Sequence, residues 1–177
     1  MHYKSEIMER ISYADFSCSI ARTLDVAGEW WTMLILRDLF LGFDRFDDIQ
    51  RNLGIASNIL TVRLKRLREH GILERAADPD DKRVRRYVLT EQGRDLYPVL
   101  LALTAWGDKW RTPPGQAPLH IRHTACAHVT SAVPACAVCG ETLQLADLAF
   151  EPGPGGRAQP GTALIGELFA RTSSVKK

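Results

Sequence analysis

With 177 residues, 45% of them hydrophobic and 25% charged, the chain has the composition of an ordinary soluble globular protein, too short for more than one domain plus an appendage. A formal net charge of only +2 rules out a uniformly basic chain, so any nucleic-acid-binding surface must come from charge concentrated locally. Met1 to Phe16 mix Lys, Glu and Arg with apolar residues, and no secretory leader is expected. The longest apolar stretch, Trp30 to Leu36, is stopped by Arg37 and Asp38, far short of the roughly 20 residues that span a bilayer. These features predict a cytoplasmic protein with no membrane partner, in which four cysteines point to metal or redox chemistry rather than a disulfide framework.

In chain order, Phe16, Ile20 and Leu24 recur at i, i+4 and i+8, an apolar helical stripe that Gly28 ends. A second apolar helix is expected from near Trp31 to Gly42, followed by a short extended link at Arg45-Phe46. A short helix from Asp47 to Leu53, a tight turn at Gly54 and a second helix from Ser57 to His70 come next. In that second helix Leu60, Leu64 and Leu67 fall at i, i+4 and i+7. Turning them inward leaves Asn58, Thr61, Val62 and Lys65 outward, with Arg63, Arg66 and Arg68 on the flanks. An amide, a hydroxyl, a methyl-bearing side chain and a cation suit base edges, thymine methyls and phosphates. Ser57 or Asn58 is the expected N-cap, and His70-Gly71-Ile72 the C-terminal stop, with Gly71 left-handed. Taken alone, this helix reads more readily as a solvated one whose arginines only confer solubility.

The segment behind it shifts the balance. Ile72-Leu73-Glu74-Arg75, the turn Asp78-Pro79-Asp80-Asp81 and the run Lys82 to Leu89 read as a β-hairpin. Lys82, Arg83, Arg85 and Arg86 place four cations in five residues, more than a sheet edge needs. Between Ser57 and Arg86, nine Lys and Arg against five Asp and Glu leave a net charge of +4, twice that of the whole chain. Helix, turn, helix and basic hairpin is the order of a winged helix-turn-helix, a mainly α fold with a small β wing. The candidate DNA contacts are Arg45, Ser57, Asn58, Thr61, Val62, Arg63, Lys65, Arg66, Lys82, Arg83 and Arg85.

Thr90 is expected to cap a last long helix from Glu91 to about Trp110, kinked by Pro98. Its stripe of Leu96, Leu100, Leu103, Trp106 and Trp110 exceeds what one small domain can cover. It is either ordinary core or, with Phe16, Ile20 and Leu24, a homodimer interface, because helix-turn-helix readers commonly engage two half-sites as a symmetric pair.

The run Cys18-Ser19-Ile20-Ala21-Arg22, Leu24-Asp25, Gly28-Glu29-Trp30-Trp31-Thr32, Leu34 to Leu39, Gly42, Arg45-Phe46, Ile49, Gly54-Ile55, Asn58-Ile59-Leu60, Arg63-Leu64, Leu67, Gly71-Ile72-Leu73, Tyr87, Leu89-Thr90 and Gly93 resembles the HxlR family of bacterial transcription regulators. The likeness runs from about Cys18 to Trp110 without large gaps. It implies a dimeric winged helix-turn-helix protein that binds duplex DNA at an operator, often beside its own gene, and answers a small molecule or an oxidant. The chain departs at Trp30, where the family often carries Lys, so that no cation stands there to meet a phosphate. The wing also resembles that of MarR-type ligand-responsive repressors, but the Cys18-to-Arg45 pattern does not. Cys18 stands where redox sensors of the HxlR type carry their reactive thiol. A helix N-terminus there favours thiolate, while a small buried apolar residue at the interface is the plainer alternative.

After Trp110 the composition changes. Residues 112–118 read as a Pro-rich linker closing a domain of residues 1–111, and 119–150 as a separate segment. His123-x-x-Cys126, nine residues, then Cys136-x-x-Cys139 resembles a compact zinc ribbon, the metal stapling a segment too small to fold alone. His128 or His120 could replace His123 as the fourth ligand. Pro134-x-Cys136-x-x-Cys139 is also akin to zinc deaminases, but no His-x-Glu accompanies it, and neither a phosphate loop nor a nucleophile elbow occurs. An enzyme is therefore not expected. A metal-stapled adaptor with an incidental basic hairpin is the non-enzyme alternative. Residues 151–177 are expected to form a flexible tail, Pro- and Gly-rich from Glu151 to Gly161, in which Leu164, Ile165, Leu168 and Phe169 could form a short docking helix.

Overall fold

The computed structural model describes residues 12–78, 81, 83–151, 153–159, 161–165 and 167. The expected places of Pro79, Asp80, Lys82, Leu168 and Phe169 lie outside these residues. The chain forms two compact units, one of residues 1–30 with 150–177 and one of residues 31–149.

In the first unit, helix α1 (Ser19–Ala27) ends at Gly28, whose N–H donates to the Leu24 carbonyl at 2.8 Å. Asp25 is buried and accepts the Tyr13 N–H at 3.1 Å. Tyr13 and Phe16 meet edge to face at 5.1 Å, and Phe16 lies so close to Gly161 that any Cβ there would strike its ring. Ser17 Oγ donates to Gln159 Oε1 at 2.7 Å, so part of the tail docks on the start of the chain. Leu164 and Ile165, expected to dock, are exposed.

The second unit opens with α2 (Thr32–Phe40) and α3 (Phe46–Leu53), so Phe46 begins a helix and only Arg45 is extended. Gly54 then takes the left-handed conformation (φ 63°), which a side chain would strain, and turns the chain into α4 (Ser57–Glu69). The N-cap of α4 is Ala56, with no side-chain cap, rather than Ser57 or Asn58. Ser57 is already helical and its carbonyl accepts the Thr61 hydroxyl at 2.8 Å. At the far end Gly71 is left-handed (φ 71°), and the Ile72 N–H reaches back to the Leu67 carbonyl at 2.9 Å. That six-to-one bond is a Schellman stop, and it folds buried Ile72 onto the core.

Strands β1 (Leu73–Ala77) and β2 (Arg85–Leu89) pair antiparallel, from Leu73 opposite Leu89 to Ala77 opposite Arg85. Arg45 bridges Arg86, adding a short third edge to the hairpin. In β2 the residue that turns inward is Tyr87; Val88 is exposed. The core of this unit lies beneath these elements: Ile35, Leu36, Leu39, Ile49, Ile55, Leu60, Leu64, Leu67, Ile72, Leu73 and Tyr87 are all buried. Each aliphatic there contributes about 1.5–3 kcal/mol relative to exposure.

The expected single C-terminal helix is two. Thr90 does cap α5 (Glu91–Arg94), its hydroxyl oxygen accepting the Gly93 N–H, but the helix breaks and α6 runs from Tyr97 to Trp110. Pro98 lies in the first turn of α6, where its missing N–H leaves nothing unsatisfied. It sets a start rather than a kink. Gly93 lies so close to the Ile72 carbonyl that a Cβ would clash with it and with Leu89. Gly93→Ala is therefore expected to cost about 1–3 kcal/mol in urea unfolding, the usual range for overpacking.

Beyond α6 come β3 (Ile121–His123) and β4 (His128–Thr130), an antiparallel pair, and a 3₁₀ turn at Leu145–Asp147. No described residue between 111 and 149 is buried.

Candidate nucleic-acid interface

The geometry of α4 decides which side chains can meet a ligand. Leu60, Leu64 and Leu67 are almost wholly buried, so the opposite face points outward by helical geometry. Ser57, Asn58, Thr61, Val62, Lys65 and Arg68 are exposed, Val62 at 58%, while Arg63 and Arg66 are half-buried on the flanks. An isopropyl group this exposed on a soluble helix has no packing role in the chain. Lys65 leans toward Glu69 at 3.6 Å, a surface pair one turn apart that is weak enough to exchange for a phosphate.

The wing is held by a carboxylate that sequence reasoning treated only as a turn former. Asp78 is completely buried, and both Arg45 and Arg86 bond to its Oδ2, Arg86 Nε at 2.9 Å. Arg86 also reaches Asp44 at 3.4 Å. The side-chain hydrogen bond to Asp78, then its charge, raises the Arg45 pKa above the ordinary guanidinium value. Arg45 thus anchors the hairpin to the start of α3 as well as standing at the surface, its side chain 44% exposed. Arg83 chelates Asp81 with two bonds of 3.0 Å, which raise the guanidinium pKa and lower that of the carboxyl. Arg85 is exposed, and Arg75 stacks over Tyr87 at 5.4 Å while donating to its hydroxyl at 3.1 Å. Arg45, Phe46, Asp47, Arg75, Val84, Arg85 and Tyr87 line a cleft of about 450 Å³ at the base of the wing.

A two-helix reader with an outward polar face, joined to a basic antiparallel hairpin, is the architecture of a winged helix-turn-helix. The model of the HxlR-like helix-turn-helix family matches residues 26–114. The chain belongs to this family. An uncharacterised HTH-type transcriptional regulator of Mycobacterium tuberculosis is 39% identical over 80% of the chain and 89% of its own length. Among solved structures, that of PA1607, a candidate transcription factor, covers 81% of the chain and all of its own length at 34% identity and a TM-score of 0.73. A second such factor, from Pseudomonas aeruginosa, is 37% identical over 77% of the chain and 93% of its own, with a TM-score of 0.53. As an HxlR-like protein the chain is a DNA-binding transcriptional regulator and not an enzyme. Among its described residues no helix is long and apolar enough to cross a membrane.

The remaining candidates fall into three groups. Ile20 and Leu24 are exposed on α1, while Phe16 is half-buried against Tyr13 and Gly161 in its own chain. None of the 14 residues of α6 is buried; Leu103, Trp106 and Trp110 are 51%, 54% and 63% exposed, and Leu100 is half-buried. Cys18 is the N-cap residue of α1 and half-buried. Trp30, where the family often has Lys, is 92% exposed.

The four zinc candidates form two pairs. His123 Nδ1 stands 3.3 Å from Cys126 Sγ. Backbone N–H groups of Cys139 and Val138, and then the Cys139 side chain, lower the Cys136 pKa. Among the described residues no three His, Cys, Asp or Glu are gathered closely enough to hold an ion.

Proposed function

We propose that the chain acts as a homodimer, inserting α4 of each protomer into successive major grooves of an operator while the wing follows the phosphate backbone. The sidedness of α4 carries this reading: three buried leucines fix the register, and the exposed face left over bears the base-reading residues Asn58, Thr61, Val62 and Lys65. Arg85 and Arg83 supply wing cations, Arg85 the more available because Arg83 must first leave Asp81. Arg45, held by Asp78, works mainly by fixing the wing.

The second copy is the natural occupant of the α6 face. A 14-residue helix with five large apolar side chains exposed, Tyr97, Val99, Leu103, Trp106 and Trp110, and no buried residue is unfavourable in water, and a reader of two half-sites needs a symmetric partner. Regulation by a small molecule or an oxidant fits the half-buried thiol of Cys18 and a cleft of about 470 Å³ lined by α6 and the β3–β4 hairpin. Footprinting of the DNA upstream of the gene, with and without oxidant, on the chain and on Cys18→Ser, tests this part. An oxidant response that persists in Cys18→Ser removes the thiol from the reading.

Affinity measured against salt separates the roles of α4 and the wing. Arg83→Ala with Arg85→Ala is expected to weaken binding to all duplexes alike and flatten the salt slope by about 0.9 for each phosphate no longer neutralised. Lys65→Ala is expected to cost roughly 1 kcal/mol, more on some sequences than others. Unchanged affinity of the double variant at physiological salt overturns the wing assignment and favours an adaptor with an incidental basic surface.

A further inference from the structure

Two turns of the segment that follows α6 are the same object built twice. In the first, the Ala127 N–H donates to the His123 carbonyl at 2.8 Å; in the second, the Gly140 N–H donates to the Cys136 carbonyl at 2.8 Å. Each turn ends on a left-handed residue, Ala127 at φ 58° and Gly140 at φ 77°. Each is also the tip of a short antiparallel hairpin, with His123 opposite His128 in one and Ala135 opposite Thr142 in the other. Glycine takes that conformation freely, but alanine pays about 1–2 kcal/mol for it. Ala127 is the only non-glycine residue with positive φ among the described residues, and Arg122 reaches over to bond its carbonyl. Such strain persists where a site requires the shape.

We propose that these twin turns are the two knuckles of a structural zinc site, with His123 and Cys126 from one and Cys136 and Cys139 from the other. The side-chain geometry of the first knuckle fits a metal edge. Zn–N of about 2.0 Å and Zn–S of about 2.3 Å at a tetrahedral angle put the two donors about 3.5 Å apart, against 3.3 Å between His123 Nδ1 and Cys126 Sγ. Three thiolates and one imidazole are a donor set that selects zinc over magnesium or calcium, and four protein ligands leave no position for substrate. Binding Zn²⁺ releases the thiol protons and leaves the imidazole neutral. The two pairs stand apart, so the ion must draw the knuckles together, and its binding is coupled to closing the segment. No described residue between 111 and 149 is buried, so apolar burial gives the segment little with which to close itself. The proposal does not depend on the DNA-binding reading.

The test is elemental analysis of the full chain purified without chelator, followed by Co²⁺ titration after stripping. About one zinc per chain is expected, and the Co²⁺ form should show tetrahedral d–d bands with thiolate charge-transfer absorption. Cys136→Ser and Cys126→Ser should each lose the metal and weaken that absorption, while Cys18→Ser, outside the site, should keep both. Helical circular dichroism of the variants should be retained, because the buried core lies outside the segment. Metal-free purified chain that also fails to bind Co²⁺ tetrahedrally overturns the proposal. Metal retained in His123→Ala but lost in His128→Ala overturns the assignment of His123 as the fourth ligand.

Discussion

Leu103→Asp is expected to leave the folded protomer intact while abolishing the dimer. Leu103 is 51% exposed within its own chain, so the substitution removes little intramolecular packing. Across a symmetric α6 interface, however, it buries a carboxylate without a partner, at a cost of several kcal/mol per ion. The two copies double that cost. Light scattering should then give a protomer-sized particle whose urea midpoint is that of the concentration-independent monomer. Affinity for a two-half-site operator should fall by about 10²–10⁴, because the second half-site loses its tether. Unmutated protein that scatters as a monomer at micromolar concentration removes α6 as the interface. Wild-type dimer that survives the substitution points instead to the exposed residues of α1.

Asp78→Ala is expected to destabilise the fold and disable the wing together. The carboxylate is wholly buried and takes bonds from both Arg45 and Arg86. Hydrogen bonds to charged groups contribute about 1.5–3 kcal/mol each, but both arginines keep partial exposure and can rehydrate. A loss of roughly 2–3 kcal/mol in denaturant unfolding is the expected result. Asp78→Asn, which keeps an acceptor, should recover part of it. Operator affinity should fall more than stability predicts, because freeing Arg45 and Arg86 loosens the hairpin against α3. A stable variant with normal DNA binding would show that the clasp does not set the wing.

What could be read from the sequence was whatever is local. The spacing of Leu60, Leu64 and Leu67 identified the buried side of α4, and Gly71 before Ile72 its stop, because helical period and left-handed glycine act within a few residues. Thr90 was likewise legible as a cap. The misses were non-local or finely balanced. Asp78 reads as a turn residue until Arg45, 33 positions earlier, is placed beside it. The docking of Ser17 on Gln159 spans 142 positions and leaves no periodic trace. Pro98 reads as a kink inside one long helix, but a break one turn earlier places it in the first turn of α6, where proline is favourable. Ala56 took the N-cap position because Ser57 and Asn58 fit inside the first turn as readily as before it.

Thr90 also joins the reader to α5, just ahead of α6. Its hydroxyl donates to the Gly71 carbonyl at 2.6 Å, and its N–H donates to the Ile72 carbonyl at 3.1 Å, while its hydroxyl oxygen receives the Gly93 N–H. The end of α4 and the beginning of α5 are therefore pinned to one residue, with only Asp95 and Leu96 separating α5 from α6. In a dimer built on α6, a change in the angle at which two copies cross becomes a lever acting on the distance between their two α4 helices. A signal need never touch a base-reading side chain to switch such a protein; mis-spacing the pair by a few ångströms against the pitch of the duplex is enough.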